Sequence, residues 1–337
     1  MTHDPLAGFP APLGAPPRYE PEYEVPRESL PPEPQKRRIW LHFLLFGLTA
    51  LSMQATAMHG NAWGAPPGHS VVGWAAYQAV SLLGILLVHE LGHYVAARIH
   101  RVPASPPYFL PLPLVGFFGT LGAVITMRDR IRSRKALLDV GAAGPLAGML
   151  VALPVLYFGL TKSVVAPTSS EHYVQEGQSI LYWLMKRLAV GPIPAGSDVQ
   201  LHPMAFAGWG GLFLTMINLV PWGQLDGGHI AFALFGKEQH RMARWFRRGL
   251  LLAFAYNVCI FVLPVLLKRS SQPLDAALGN SAFWLVWYGV TGGMAKLSGE
   301  DHPPFEPGPL GLPRQIVAIG CLGLFVLLFL PTPIALY

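Results

Sequence analysis

Charge is what this 337-residue chain has least of: Asp, Glu, Lys and Arg make up 12% of it, about half the share of an ordinary soluble domain. A cytosolic globule is excluded, because 52% of the residues are hydrophobic and they gather into uninterrupted blocks of bilayer length. Cysteine is nearly absent as well. Cys259 and Cys321 each sit inside an apolar stretch with no CxxC pair, which leaves neither a zinc finger nor a disulfide framework. The first 38 residues lack the basic, apolar and small-residue order of a cleavable signal. Rich in Pro and Glu, residues 1–38 are expected to form a disordered cytoplasmic tail.

What is present is a series of apolar blocks at 39–58, 71–97, 136–160, 204–220, 249–267, 281–295 and 315–330. Twenty helical residues cover a hydrocarbon core of about 30 Å, so these blocks predict about seven spans, within a range of roughly 6–8. The expected fold class is an all-α polytopic membrane protein, with residues 39–337 forming the membrane domain. Between the second and third blocks, residues 108–127 are apolar but broken by Pro111, Pro113, Gly116, Gly119 and Gly122. That density disfavours a helix and suits a short membrane-inserted hairpin or a loop lying on the surface. Trp40, Trp63, Trp209, Trp222 and Trp245, near block ends, are expected as interfacial anchors.

The formal net charge of +6 raises the question of nucleic acid, and the distribution of the cations answers it. If the tail is cytoplasmic and the spans alternate, segments 36–38, 98–135, 237–248 and 296–314 face the cytoplasm and hold 17 of the 24 Lys and Arg. This is the asymmetry of the positive-inside rule. The lipid bilayer is thus the expected partner, and no nucleic acid is needed to account for the basic residues.

Inside the second block the chain reads Val88-His89-Glu90-Leu91-Gly92-His93. Residues four apart lie on one face of a helix, so both imidazoles can reach one metal, as in the HExxH zinc motif. A carboxylate in hydrocarbon costs a few kcal/mol on insertion scales and calls for a reason. Catalytic zinc takes three protein ligands and leaves a fourth position open, so another donor must come from elsewhere. Asp139 stands beside Arg134 and Lys135, where an ion pair at the membrane boundary is the simpler account. Asp226 is better placed, in Asn218-Leu219-Val220-Pro221-Trp222-Gly223-Gln224-Leu225-Asp226-Gly227-Gly228-His229, where Pro221 ends a helix and the glycines permit close approach. His229 follows closely enough to approach the same metal.

These motifs resemble the site-2 protease family of intramembrane zinc metalloproteases, with HExxH on one membrane helix and Asn-Leu-x-Pro…Leu-Asp-Gly-Gly on a later one. The similarity extends over about residues 72–235, the expected catalytic core, and takes in Gly141-Ala142-Ala143-Gly144-Pro145. Phe118-Gly119-Thr120-Leu121-Gly122-Ala123-Val124-Ile125 is similar to the hairpin of bacterial and chloroplast members, and no PDZ-like insertion is apparent. The resemblance implies that His89, His93 and Asp226 ligate one Zn2+ per chain and that Glu90 is the general base. It further implies that Asn218 contacts the substrate backbone or oxyanion, a helix-capping role being the alternative. Gly119 and Gly122 are expected to help bind an unwound substrate as an added strand.

The expected activity is hydrolysis of peptide bonds in or near transmembrane segments of membrane proteins, that is regulated intramembrane proteolysis, on substrates already shortened by an earlier cut. A catalytically silent homologue or a metal-handling transporter is the alternative. The expected location is multi-pass in a bacterial inner membrane, the amino terminus cytoplasmic and the active site near the cytoplasmic face.

Overall fold

A computed structural model of the chain describes residues 39–60, 65–114, 118–127, 131, 133–168, 174–298 and 308–336. The expectation for residues 1–38, and that for Trp63, fall outside the described residues. The first helices are α1 (Ile39–Gly60) and α2 (Val71–Ile99), the latter capped at its start by Ser70, whose Oγ accepts the Gly73 N–H. A two-stranded antiparallel hairpin follows, β1 (Tyr108–Pro111) and β2 (Thr120–Val124), with a register shift between Phe109 and Pro111. α3 (Arg134–Thr161) then starts from a Ser133 cap.

Beyond α3 the chain builds a small cap. It consists of β3 (Val164–Pro167), β4 (Val174–Glu176), α4 (Ile180–Ala189) and β5 (Ser197–Gln200), with β5 paired to β3. The chain re-enters as α5 (Pro203–Asn218), turns at Pro221, and forms the short α6 (Asp226–Phe235). α7 (Glu238–Asn257) runs through a π-helical segment, Val258–Val262, into α8 (Leu263–Leu266). α9 (Leu274–Ser298), α10 (Leu312–Leu328) and β6 (Ile334–Leu336) complete it, and β6 returns to pair with β4.

The fold is a mostly helical, polytopic membrane fold, and the protein is an integral membrane protein. Among the described residues, Ile39–His59, Val71–Ile99, Arg134–Thr161 and Glu238–Leu266 are long and apolar enough to cross a bilayer. α5, α9 and α10 coincide with the other three expected spans. α5, at 16 residues, reaches only about 24 Å. Two expectations change. The basic segment 237–248, read as a loop, is the start of α7, where Glu238 and four arginines ride on helical turns. Trp209 and Trp222, read as interfacial anchors, are 1% and 4% exposed and pack in the core, whereas Trp40 and Trp245 are exposed.

The hairpin is set against the middle of α1 rather than on a surface. Ser52 Oγ donates to the Gly119 carbonyl at 2.6 Å, and the Leu114 N–H donates to Thr56 Oγ1 at 3.0 Å. Phe109, 2% exposed, meets Phe46 edge-on, and the His42 ring covers Tyr108 at 4.0 Å. Buried hydroxyls on α1 thus satisfy backbone that hydrocarbon could not.

Candidate metal centre

α2 delivers His89, Glu90 and His93 to its buried side, all three at 6% exposure or less. α3 makes room for them through small residues. A Cβ at Gly144 would overlap the His93 ring, and one at Gly148 would press on His89 at 3.2 Å. A third glycine of this stripe, Gly141, is where α6 approaches, its imagined Cβ 3.1 Å from His229 Cβ. Only residues without a side chain let three elements meet this closely.

Asp226 is the first residue of α6, where the helix dipole favours a carboxylate. The glycines after it are structural: a Cβ at Gly227 would strike the Leu219 carbonyl and one at Gly228 that of Gly223. The other end of α6 is held by Arg134, whose Nε donates to the Ala233 carbonyl at 2.6 Å and whose Nη2 donates to Leu234 at 3.1 Å.

The donors converge. His93 Nε2 lies 3.1 Å from His89 Nε2, and Asp226 Oδ2 lies 3.2 Å from the former and 3.4 Å from the latter. A tetrahedral site with bonds of about 2.0–2.1 Å has donor-to-donor edges of about 3.3 Å, so these three atoms outline one face of such a site. His93 Nδ1 donates to the Val140 carbonyl at 2.7 Å, which leaves the Nε2 lone pair for a cation. Two imidazoles and a carboxylate are the donor set of zinc, and the residues present fit it. His229 is not part of this group of three.

Asn218, the last residue of α5, brings its Nδ2 to 3.2 Å from His89 Nε2. Asp139 belongs elsewhere. It takes a two-pronged contact from Arg314, Nε at 2.9 Å and Nη2 at 2.7 Å, and a third from His100 Nε2 at 2.8 Å. The expected boundary ion pair is therefore present, though with Arg314 and not with Arg134 or Lys135. The two hairpin glycines differ. Both have positive φ, but a Cβ at Gly119 would press on Thr56 and Ser52 of α1, whereas Gly122 faces open space.

Sequence reading missed three contributors: the Val140 carbonyl, Gly148 and Arg314. A backbone acceptor has no sequence signature, and Arg314 is far from Asp139 along the chain. Gly148 had one, since Gly141, Gly144 and Gly148 follow the i, i+3, i+7 spacing of one helix face.

Residues 77–262, more than half of the chain, match the sequence profile of Peptidase family M50. Similar proteins include "Probable zinc metalloprotease EGY2, chloroplastic" of Oryza sativa subsp. indica, 30% identical over 71% of this chain and 46% of the relative. "Probable zinc metalloprotease EGY1, chloroplastic" of Arabidopsis thaliana is 36% identical over 48% of this chain and 30% of its own length. The chain spans under half the length of these curated relatives. Since the matched stretch takes in both the helix of His89 and His93 and the turn that opens on Asp226, the chain belongs to Peptidase family M50, the site-2 proteases, whose metal is zinc.

Proposed function

We propose that this protein is an intramembrane zinc endopeptidase that hydrolyses peptide bonds in or near transmembrane segments of membrane proteins. The observation that carries this reading is the convergence of His89, His93 and Asp226 at 3.1–3.4 Å beside the buried Glu90. In this reading those three residues hold one zinc ion per chain. When bound, zinc polarises the scissile carbonyl and lowers the pKa of water. Glu90, next to His89 on α2, takes the proton of the attacking water at its carboxylate and returns it to the departing amide nitrogen. The Asn218 carboxamide, beside the ligand cluster, donates an N–H to the substrate carbonyl oxygen as charge builds there. Burial of the cluster excludes bulk water from these groups.

A helical substrate hides its peptide bonds, so it must unwind before hydrolysis. Among the described residues β2 has one strand partner, β1, and we assign its neighbourhood, with Gly122 opening onto free space, to binding the unwound segment by main-chain hydrogen bonds. Gly119 keeps the hairpin against α1, so it serves the same function by position. In this reading its substrates are membrane proteins already shortened by an earlier cut. The working unit is the membrane domain 39–337, with a catalytic core of about 72–235. We take the membrane to be a bacterial inner membrane, and the Lys and Arg distribution supports an amino terminus and active site toward the cytoplasm. The plant relatives carry "chloroplastic" in their own names.

The test uses purified full-length protein in lipid nanodiscs and a synthetic peptide with one apolar span of about 20 residues. Wild type is expected to contain one zinc per chain and to cut the peptide. Glu90→Gln should retain the zinc and lose about 10²- to 10⁴-fold in rate. Zinc-loaded wild type that cuts no such peptide would sink the proposal.

A further inference from the structure

The cap carries an open cleft of mixed polar and apolar lining that the metal centre does not use. It has a volume of about 680 Å³, between α4 and the β3–β5 and β4–β6 ribbons, and its lining includes Gln175, Gln178, Trp183, Lys186, Arg187 and Asp198. Its floor is prearranged. Lys186, 4% exposed, donates to Glu176 Oε1 at 2.6 Å and reaches Asp198 Oδ1 at 3.4 Å, while the Tyr182 hydroxyl donates to the same Glu176 oxygen at 2.7 Å. Burial first, and the Glu176 charge second, push the Tyr182 hydroxyl well above its ordinary pKa, so it stays a donor. A further bond fixes this floor to the membrane bundle, from Trp209 Nε1 on α5 to the Gly177 carbonyl at 3.0 Å.

Position and chemistry both restrict what fits. Ile180, Leu184 and Leu188 recur every four residues on α4 at 58%, 43% and 64% exposure, an apolar stripe that sets the helix in the membrane interface. Trp183 and Arg187 are also four apart, on an adjoining face, and both are exposed. The cleft therefore opens at headgroup level. Measured along α3, from Gly144 beside His93 to Thr161 where the cap begins, it stands about 25 Å from the zinc ligands. A phosphate would meet donors only in part, because the Glu176 and Asp198 carboxylates offset Lys186 and Arg187. A peptide backbone, with N–H and C=O alternating, suits mixed amides, carboxylates and cations better.

We propose that this cleft binds the stretch of a substrate that flanks its transmembrane span on the side away from the zinc, and so fixes how far into the span the cut falls. The proposal rests on the protease reading above and adds a second recognition site to it. Trp183 supplies an aromatic platform, Arg187 a cation for backbone carbonyls, and Gln175 and Gln178 amides of both polarities.

Two measurements on the full-length chain in nanodiscs decide it. The probe is the synthetic single-span peptide, with and without a polar extension of about six residues, one strand's length, beyond the cap-side end. First, the photo-crosslinking residue p-benzoylphenylalanine is placed at position 183 in a Glu90→Gln background, so that the peptide stays whole. Adducts mapping to the extension support the proposal; adducts to lipid or to the apolar span, or none, overturn it. Second, Arg187→Glu is expected to raise KM for the extended peptide about tenfold, as loss of one charge-assisted contact does, with kcat unchanged. The unextended peptide should show no change. Equal effects on both peptides, or on neither, overturn the proposal. If wild type cuts neither peptide, the protease reading fails, and the crosslinks still decide the cleft.

Discussion

At the level of single side chains, the proposed metal ligands are packed against residues outside the ligand set. Gly144 has His93 where a methyl group would be, so Gly144→Ala is expected to abolish or sharply reduce bound zinc while the helices still insert. Metal analysis of the purified variant checks this, and normal zinc content would show that α2 and α3 can separate at little cost. Asn218→Ala should keep the metal and lower kcat about 10²-fold, the loss typical when one donor to a developing oxyanion is removed. An unchanged kcat would return Asn218 to a role in ending α5. The histidines and Glu90 were legible because a helix brings residues four apart together without help from the rest of the fold. Asp226 was legible only through the Pro and Gly around it and the family pattern. Spacing puts Gly148 on one helix face with Gly141 and Gly144, but that this face backs His89 is decided by how α3 packs on α2.

Among elements, the expected spans appear as helices, but charge misled the reading of where they begin. The arginines of 237–248 suggested a loop, whereas Arg241, Arg244 and Arg248 stand exposed on α7 and Arg247 lies over the Tyr288 ring of α9 at 4.7 Å. α6 went unseen because ten residues cannot span a bilayer and the segment opens on two glycines, which ordinarily disfavour helix. One cap invites a pH experiment. His202 Nδ1 accepts the Met204 N–H at the start of α5, with its ring against Trp74 at 4.6 Å and Tyr77 at 5.0 Å. Burial first, then Lys162 and His69, hold its pKa below the ordinary 6.5. The folded state therefore binds this proton less readily than the unfolded chain. The stability tied to the neutral ring is present above pH 6.5 and is lost as the pH falls through the lowered folded-state value. Thermal unfolding of His202→Asn, which keeps a capping acceptor, should be flatter between pH 7 and pH 5 than that of wild type; parallel curves would remove His202 from the account.

For the molecule as a whole, polar groups are concentrated where elements from distant parts of the sequence meet. Lys186 and Glu176 close the cap, while Asn257 and Trp284 both donate to the Pro331 carbonyl near the returning carboxyl-terminal strand. Lys186→Ala leaves Glu176 buried without its cation and is expected to cost about 3–5 kcal/mol in thermal or denaturant unfolding. Glu176→Gln combined with Lys186→Met should cost less than Lys186→Ala alone, and a larger cost would contradict the ion-pair account. Orientation can be read by labelling with a membrane-impermeant maleimide after Cys259 and Cys321 are replaced. Gln200→Cys is expected to react in intact cells and Lys135→Cys only after permeabilisation; the reverse would invert the proposed topology. Hydropathy made the polytopic plan readable, and charge asymmetry supplies the proposed direction. The cap was not foreseen, since its strands are three or four residues long and their partners lie far along the chain.

On the proposed assignment, the third ligand arrives late. His89 and His93 leave the ribosome on the second helix, whereas Asp226 emerges only after α3, the cap and α5 have been made. A partly synthesised chain, already threaded into the membrane beside countless potential victims, thus holds an unfinished hydrolytic centre. Chain order would then act as a safety catch, postponing any capacity to cut neighbouring proteins until most of the enzyme has been inserted.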